Sequence, residues 1–340
     1  MKKWHFLVLA VVILFLLLPS VSWGEGKKIG LILGTGGLGD KSFNDISYVG
    51  ALEASEELGI GLDYVEPKAI AEYEGYQRDF ASSGGYEIIV CIGFDQADAL
   101  DRIAQEFPQQ KFALVDMTVD QPNVASLLFK ANEGGFLLGI QAAYMTESKK
   151  IGVVGGMDIP LIRDFFVGFE EGVRWADTGA EVLPKVYVGT WADPTKGKEL
   201  ALSLIDQGCD LIWAVAGKSG LGALEAAKER GVYAMGVDAC QCYLGDHIIA
   251  SETKRVDIAV YETIKAAFDG TFQGGIMERG VAEGWIGICR LPEEQPLWEE
   301  TFDFKHQVEI PLEVMQKIEE AKEKISKGEI EVPRPPEFGG

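Results

Sequence analysis

Histidine is nearly missing from this chain: His5, His247 and His306 are the three present among 340 residues. No G-x-S-x-G turn and no recurring pair of carboxylates accompanies them, which argues against the usual hydrolytic constellations. Cysteine is scarce too. Cys91, Cys209, Cys240, Cys242 and Cys289 are odd in number and unevenly spaced, so they do not describe a disulfide scaffold. Cys91 falls within the apolar run "YEIIVCIGF", where a thiol behaves as a small hydrophobe. Cys240-Gln241-Cys242 with His247 nearby has the look of a metal site, but zinc asks for three or four converging ligands and only these three are local. No metal and no cofactor is expected.

Basic residues are also in short supply. With 31 Lys and Arg against 53 Asp and Glu, the formal charge is −22, a surface that repels nucleic acid and anionic membranes. One long apolar run is present, Phe6 to Leu18, preceded by Lys2 and Lys3 and followed by Pro19 and Val21-Ser22-Trp23-Gly24. This is the layout of a secretory signal peptide, too short to cross a bilayer comfortably. Residues 1–24 are therefore expected to be removed, with a periplasmic or other extracytoplasmic mature chain. No cysteine lies between Pro19 and Gly26, so the mature protein is expected not to be lipid-anchored.

The remaining chain, about 315 residues, exceeds the size at which one core stops growing, so two lobes are expected. Short apolar runs alternate with amphipathic helical patterns throughout. The runs include Ile29–Leu33, Glu87–Ile92, Phe112–Val115, Val124–Phe129, Ile151–Val154, Val182–Val188, Leu211–Val215, Tyr233–Val237 and His247–Ala250. Alternation of this kind predicts an α/β class with parallel sheets covered on both faces. A second series starts at Ile151, after Lys149-Lys150. Ligands of open parallel sheets bind beyond the carboxyl ends of strands, so the loops after each run are the ones to inspect. A last helix is predicted over 312–325, followed by a Pro- and Gly-rich tail, read as a surface strap or a disordered end.

The loop after the first run, "LILGTGGLGDKSF", satisfies G-x-G-x-x-G through Gly34, Gly36 and Gly39. A dinucleotide site also needs an acid about 20 residues on, at the end of the next strand. Here the first such acid, Glu66, comes 27 positions after Gly39. Ser42 with Asp45 resembles a capping box, which starts the helix after the glycines and puts Phe43 and Asn44 in its first turn. A glycine loop beside a ring and an amide suits a flat, uncharged, hydrogen-bonding ligand better than a cofactor phosphate.

From "GDKSFND" onward the segments "KANEGGFLLG", "IGVVGGMDIPLI", "VYVGTWADPTKGKELA", "AVAGKSGLGALEAAKERGVYAMGVD" and "TKRVDIAVYETIKAAFDGTFQGG" follow in order. Together, over about Lys28 to Pro333, they resemble the basic membrane protein (BMP) family of substrate-binding proteins for ATP-binding-cassette importers, whose best-known members bind purine nucleosides. The resemblance implies a type I periplasmic-binding fold: two doubly wound α/β lobes joined by a hinge. It sets the first lobe at 27–129 plus about 252–290, the second at 130–251 plus about 291–333, and a tail at 334–340. It implies a monomeric, non-catalytic receptor with two partners, a nucleoside-like small molecule and an inner-membrane permease.

The family's residues map onto this chain as follows. Phe43 matches the base-stacking aromatic, Asn44 the amide beside it, and Trp191 the aromatic of the opposite lobe. Asp116 and Asp238 follow buried runs, and such positions in the family accept hydrogen bonds from the base and from the ribose diol respectively. Lys254 matches a lysine that donates near the sugar, and Gly217 with Lys218 forms the loop after Val215. A mutual ion pair is the structural alternative for Asp238 and Lys254. Phe94 is read as an apolar wall or as core packing. Two departures stand out: Gly34 sits where nucleoside-binding relatives commonly carry an aspartate, and "VDACQ" replaces "VDSDQ", putting Cys240 in place of an acid. Other readings are a receptor for riboflavin or another flat heterocycle, a secreted nucleoside-processing enzyme, and a sensory receptor.

Overall fold

The computed structural model describes residues 26–338. The expected signal peptide, residues 1–24, and the last two residues of the tail lie outside the described residues. The chain begins β1 (Lys28–Ile32), α1 (Phe43–Leu58), β2 (Leu62–Val65), α2 (Tyr73–Ser83), β3 (Tyr86–Ile92), α3 (Ala97–Glu106), β4 (Lys111–Val115) and β5 (Val124–Phe129). It continues α4 (Ala131–Met145), β6 (Lys150–Gly155), α5 (Pro160–Trp175), β7 (Glu181–Val182), β8 (Val186–Tyr187), α6 (Pro194–Asp206), β9 (Leu211–Val215), α7 (Lys218–Arg230), β10 (Tyr233–Gly236) and β11 (Ile248–Lys254). It ends α8 (Val256–Asp269), β12 (Gly275–Arg279), β13 (Ile286–Ile288), α9 (Gln295–Thr301) and α10 (Leu312–Ser326).

The strands form two sheets. The first, in the order β12-β5-β4-β3-β1-β2, is parallel throughout. The second runs β13-β11-β10-β9-β6-β7, with β8 also on β6, and only the β11–β13 pair is antiparallel. Central strands such as β9 are buried along their whole length. This is why they read as unbroken apolar runs instead of alternating ones. The expected run Val182–Val188 is split into β7 and β8. Pro184, which lacks an N–H to give a ladder, falls in the gap.

Among the described residues the chain crosses between the sheets three times. It leaves the first sheet after β5, returns after β11 to add α8 and β12, and leaves again before β13, so residues 252–254 and 286–288, expected in the first lobe, stand in the second sheet. At the first crossing α4 lies against α5 at backbone contact distance: a Cβ added at Gly168 would fall 1.9 Å from the Asn132 carbonyl oxygen. Only glycine permits that approach, which sets the spacing of α4 and α5. The tail is a strap over this region. Asn132 Nδ2 donates to the Val332 carbonyl at 2.8 Å, and Arg334 pairs with Asp164 of α5 and Glu278 of β12.

Candidate functional site

The carboxyl ends of both sheets face a shared crevice, a concave site where ligands bind in such folds. All nine residues singled out in the sequence line it: Phe43, Asn44, Phe94 and Asp116 from the first lobe, Trp191, Gly217, Lys218, Asp238 and Lys254 from the second. Each stands at or after a strand end. Phe43 and Asn44 open α1, Phe94 begins the turn after β3, and Asp116 follows β4. Lys218 opens α7 after β9, Asp238 lies just past β10, and Lys254 ends β11.

The glycine loop is not built for phosphate, because carboxylates and other acceptors of the protein already hold its N–H groups. Gly34 N donates to Asn44 Oδ1 (2.8 Å), Leu38 N to Glu66 Oε2 (3.0 Å), Gly39 N to Asp45 Oδ1 (2.7 Å) and Lys41 N to Asp45 Oδ2 (3.1 Å). The helix starts at Phe43 as expected, but the capping box itself does not form: Asp45 accepts from Gly39 N and Lys41 N and not from Ser42 N. Ser42 does not cap α1. Asp40 does so, accepting from the N–H groups of Ser42, Asn44 and Asp45 at 2.8–3.1 Å. The Ser42 hydroxyl instead reaches the second lobe and donates to Asp238. Asn44 is held at both ends of its amide, by Gly34 N and Asp40, so its first task is to shape the loop.

Trp191 is positioned from two sides. A Cβ at Gly156 would sit 2.2 Å from the indole ring, so only glycine leaves room for it. Trp191 O accepts from Ser219 N at 3.0 Å, tying the Trp191 loop to the start of α7. Asp193 caps α6 through Lys196 N (2.9 Å), with Pro194 as its first residue.

The Asp238–Lys254 ion pair named as the structural alternative is not formed; the partner of Lys254 is Asp116. Lys254 Nζ lies 2.6 Å from both carboxylate oxygens of Asp116, and the two side chains are almost wholly buried. The ammonium also faces the rings of Phe129, Phe43 and Phe165 at 4.9–5.7 Å, within cation–π range. Geometry explains the choice: Lys254 ends a strand of the second sheet and reaches across to the carboxylate that ends β4 of the first. Asp238 is left with the Ser42 hydroxyl. Burial pushes its pKa up to about 6, and the charges of Asp40 and Asp116 push the same way against the pull of Lys254 and Ser42.

Sequence reasoning missed Leu161, Ile162 and Phe165 of α5, together with Asp40 and Asp95, all of which line the crevice. The signal existed for α5, since its start follows β6 directly and is the loop that the strand-end rule marks. Counting lining side chains, Asp40, Asp95, Asp116 and Asp238 oppose Lys218 and Lys254. Such a crevice disfavours a phosphorylated guest and offers acceptors to hydroxyl and amine groups.

The sequence matches the Bmp family, described as ABC transporter substrate-binding protein PnrA-like, over residues 27–335. The chain belongs to the Bmp family. Within it, the chain is similar to an uncharacterized lipoprotein of Pyrococcus horikoshii, 37% identical over 79% of this chain and 70% of the relative. It is also similar to basic membrane protein A of Borreliella burgdorferi, 32% identical over 83% and 88% of the two chains. An ABC transporter solute-binding protein of Aeropyrum pernix K1 superposes with a TM-score of 0.81 at 33% identity, over 91% of this chain and 94% of that one. The fold is accordingly the two-lobed type I periplasmic-binding fold, and this Bmp protein is an ABC transporter substrate-binding protein with a small-molecule ligand and a permease partner.

One expectation is corrected by these relatives. Three from Pyrococcus species are named lipoproteins, which points to lipid anchoring and against a protein free of any lipid anchor. That expectation rested on the lack of a cysteine between Pro19 and Gly26, which excludes only a thioether at those positions. Among the described residues no helix is long and apolar enough to cross a membrane.

Proposed function

We propose that this Bmp protein binds a purine-type nucleoside between its lobes and delivers it to an importer permease, without catalysis. The observation that supports this most is the meeting of Phe43 and Trp191, from opposite lobes, in one crevice that also holds the Asp116 and Asp238 carboxylates. Two rings provide faces for a planar base, each stack contributing about 0.5–1.5 kcal/mol beyond burial. Asp238, with the Ser42 hydroxyl as its one direct side-chain partner among the described residues, retains acceptor capacity for a cis-diol. Ser42–Asp238 and Asp116–Lys254 already join the lobes, so a guest that touches both sides adds to contacts of the closed form.

A thermal-shift panel of adenosine, guanosine, inosine, free bases, nucleoside monophosphates and riboflavin tests the reading. A nucleoside at 100 times its Kd stabilises the fold by about 2.7 kcal/mol, and its monophosphate does much less. Riboflavin alone shifting the Tm would replace the nucleoside with another flat heterocycle. No shift with any of them would end the ligand assignment.

A further inference from the structure

Three of the cysteines that the sequence leaves without a role are brought together by the fold. We propose that Cys240, Cys242, Cys289 and His306 form a structural zinc site that fastens the Asp238 loop to the C-terminal part of the chain. His247, the histidine nearest in sequence, is elsewhere, with Nε2 at the Leu224 carbonyl (2.9 Å). Cys289, just past β13, and His306, between α9 and α10, take the places that local reading could not fill.

The four side chains converge closely enough to share one ion. The four ligand atoms all lie within 4.8 Å of one another. Cys242 Sγ and Cys289 Sγ are 3.8 Å apart, as are Cys240 Sγ and His306 Nε2. With Zn–S near 2.3 Å and Zn–N near 2.0–2.1 Å, a tetrahedron has S–S edges of about 3.8 Å and S–N edges of about 3.6 Å. All five cysteines are free thiols among the described residues. Four protein ligands leave no open position, which assigns the ion to holding structure and not to chemistry.

The surroundings fit the same ion. Glu299 Oε1 lies 3.0 Å from His306 Nδ1, fixing the ring with Nε2 toward the sulfurs, the carboxylate–histidine arrangement that orients zinc ligands. Ser251 N donates to Cys289 Sγ at 3.3 Å. Binding releases three thiol protons to solvent, so Zn²⁺ with three thiolates and a neutral imidazole carries one net negative charge. Arg290 is 8% exposed, its Nε and Nη1 have no hydrogen-bond partner, and its charge acts on both Cys242 and His306. It is the counter-charge the complex needs. The site also bears on the crevice. Cys240 stands two residues past Asp238, and between them and Cys242 lies Gln241, whose Nε2 donates to the Lys41 carbonyl of the first lobe (3.0 Å).

The test is metal content of the untagged full chain, reduced, supplied with zinc chloride and dialysed. About one zinc per chain is expected, retained in Cys91→Ser and Cys209→Ser and lost to roughly a tenth or less in Cys289→Ser. Because Cys289→Ser removes a buried group and can misfold, the wild-type chain is also loaded with cobalt(II), which should give the intense visible bands of a tetrahedral thiolate site. Wild-type protein that keeps less than roughly a tenth of an equivalent of zinc, or gives a pale octahedral cobalt spectrum, overturns the proposal. A Cys242–Cys289 disulfide as purified, with no zinc uptake after reduction, also overturns it and makes the cluster a thiol pair.

Discussion

Asp116 and Asp238 occupy equivalent places in the two lobes and behave differently. Each follows a central strand of its sheet, each has a left-handed backbone (φ +73° and +65°), and each is buried at the crevice wall. Strained φ values of this kind persist where surrounding structure enforces them, often at ligand sites. Asp116 is joined on both oxygens by Lys254 from the other lobe. Asp238 has a hydroxyl and the repulsion of two other aspartates. The lesson is that repetition of a strand-end carboxylate supplies two distinct tools: one bridges the lobes through Lys254, and the other, with one hydroxyl partner, keeps acceptor capacity.

Removing the bridge should have the largest effect. Lys254→Met leaves Asp116 buried without its counter-ion and is expected to cost about 3–5 kcal/mol of unfolding free energy, read by denaturant titration. Adding Asp116→Asn should recover much of that loss; a single-variant cost below about 1 kcal/mol would show that the pair does not bridge the lobes.

Asp238→Asn should do the opposite. Because the folded-state pKa of Asp238 is raised from 3.8 to about 6, the fold favours its protonated form. Its stability contribution is greatest below pH 3.8 and is lost as pH rises through 6. Asparagine, neutral and tolerant of the left-handed backbone, is therefore expected to raise Tm at pH 7 and leave it little changed at pH 4. Binding should follow the same group with the reverse sign. A diol donates to the ionised carboxylate, so wild-type affinity for a nucleoside should fall about tenfold from pH 7 to pH 5. A flat profile in the wild type would remove Asp238 from the ligand's contacts.

A smaller effect is expected at Glu252, in β11 beside the crossing helix α4. Both its carboxylate oxygens are buried without a hydrogen-bond partner, and burial raises its pKa well above 4.5. Its cost to the fold grows as pH rises above 4.5, so Glu252→Gln should raise Tm by a few degrees at pH 8 and change it little at pH 4. An unchanged Tm at pH 8 would mean that a partner satisfies this carboxylate.

The sequence made the alternation of strands and helices plain, because doubly covered parallel strands leave long apolar runs. It did not reveal the short edge strand β13 or α9, which carry no comparable run. Strand-end logic, together with family resemblance, reached nine of the residues that line the crevice. What it did not reach depends on how the three crossings juxtapose the lobes. Lys254 chooses Asp116, 138 residues away, and Ser42 turns to Asp238, 196 residues away. The Cys240–His306 approach spans 66 residues for the same reason. Spacing along a chain reports neighbours on one element, and these partners belong to different ones.

The most direct measurement is the nucleoside affinity of Phe43→Ala and Trp191→Ala, by calorimetric titration with whichever nucleoside most raises the wild-type Tm. If the guest is clasped between rings of opposite lobes, each variant should bind roughly tenfold or more weakly while melting near the wild-type temperature. Wild-type affinity in either variant would contradict the account.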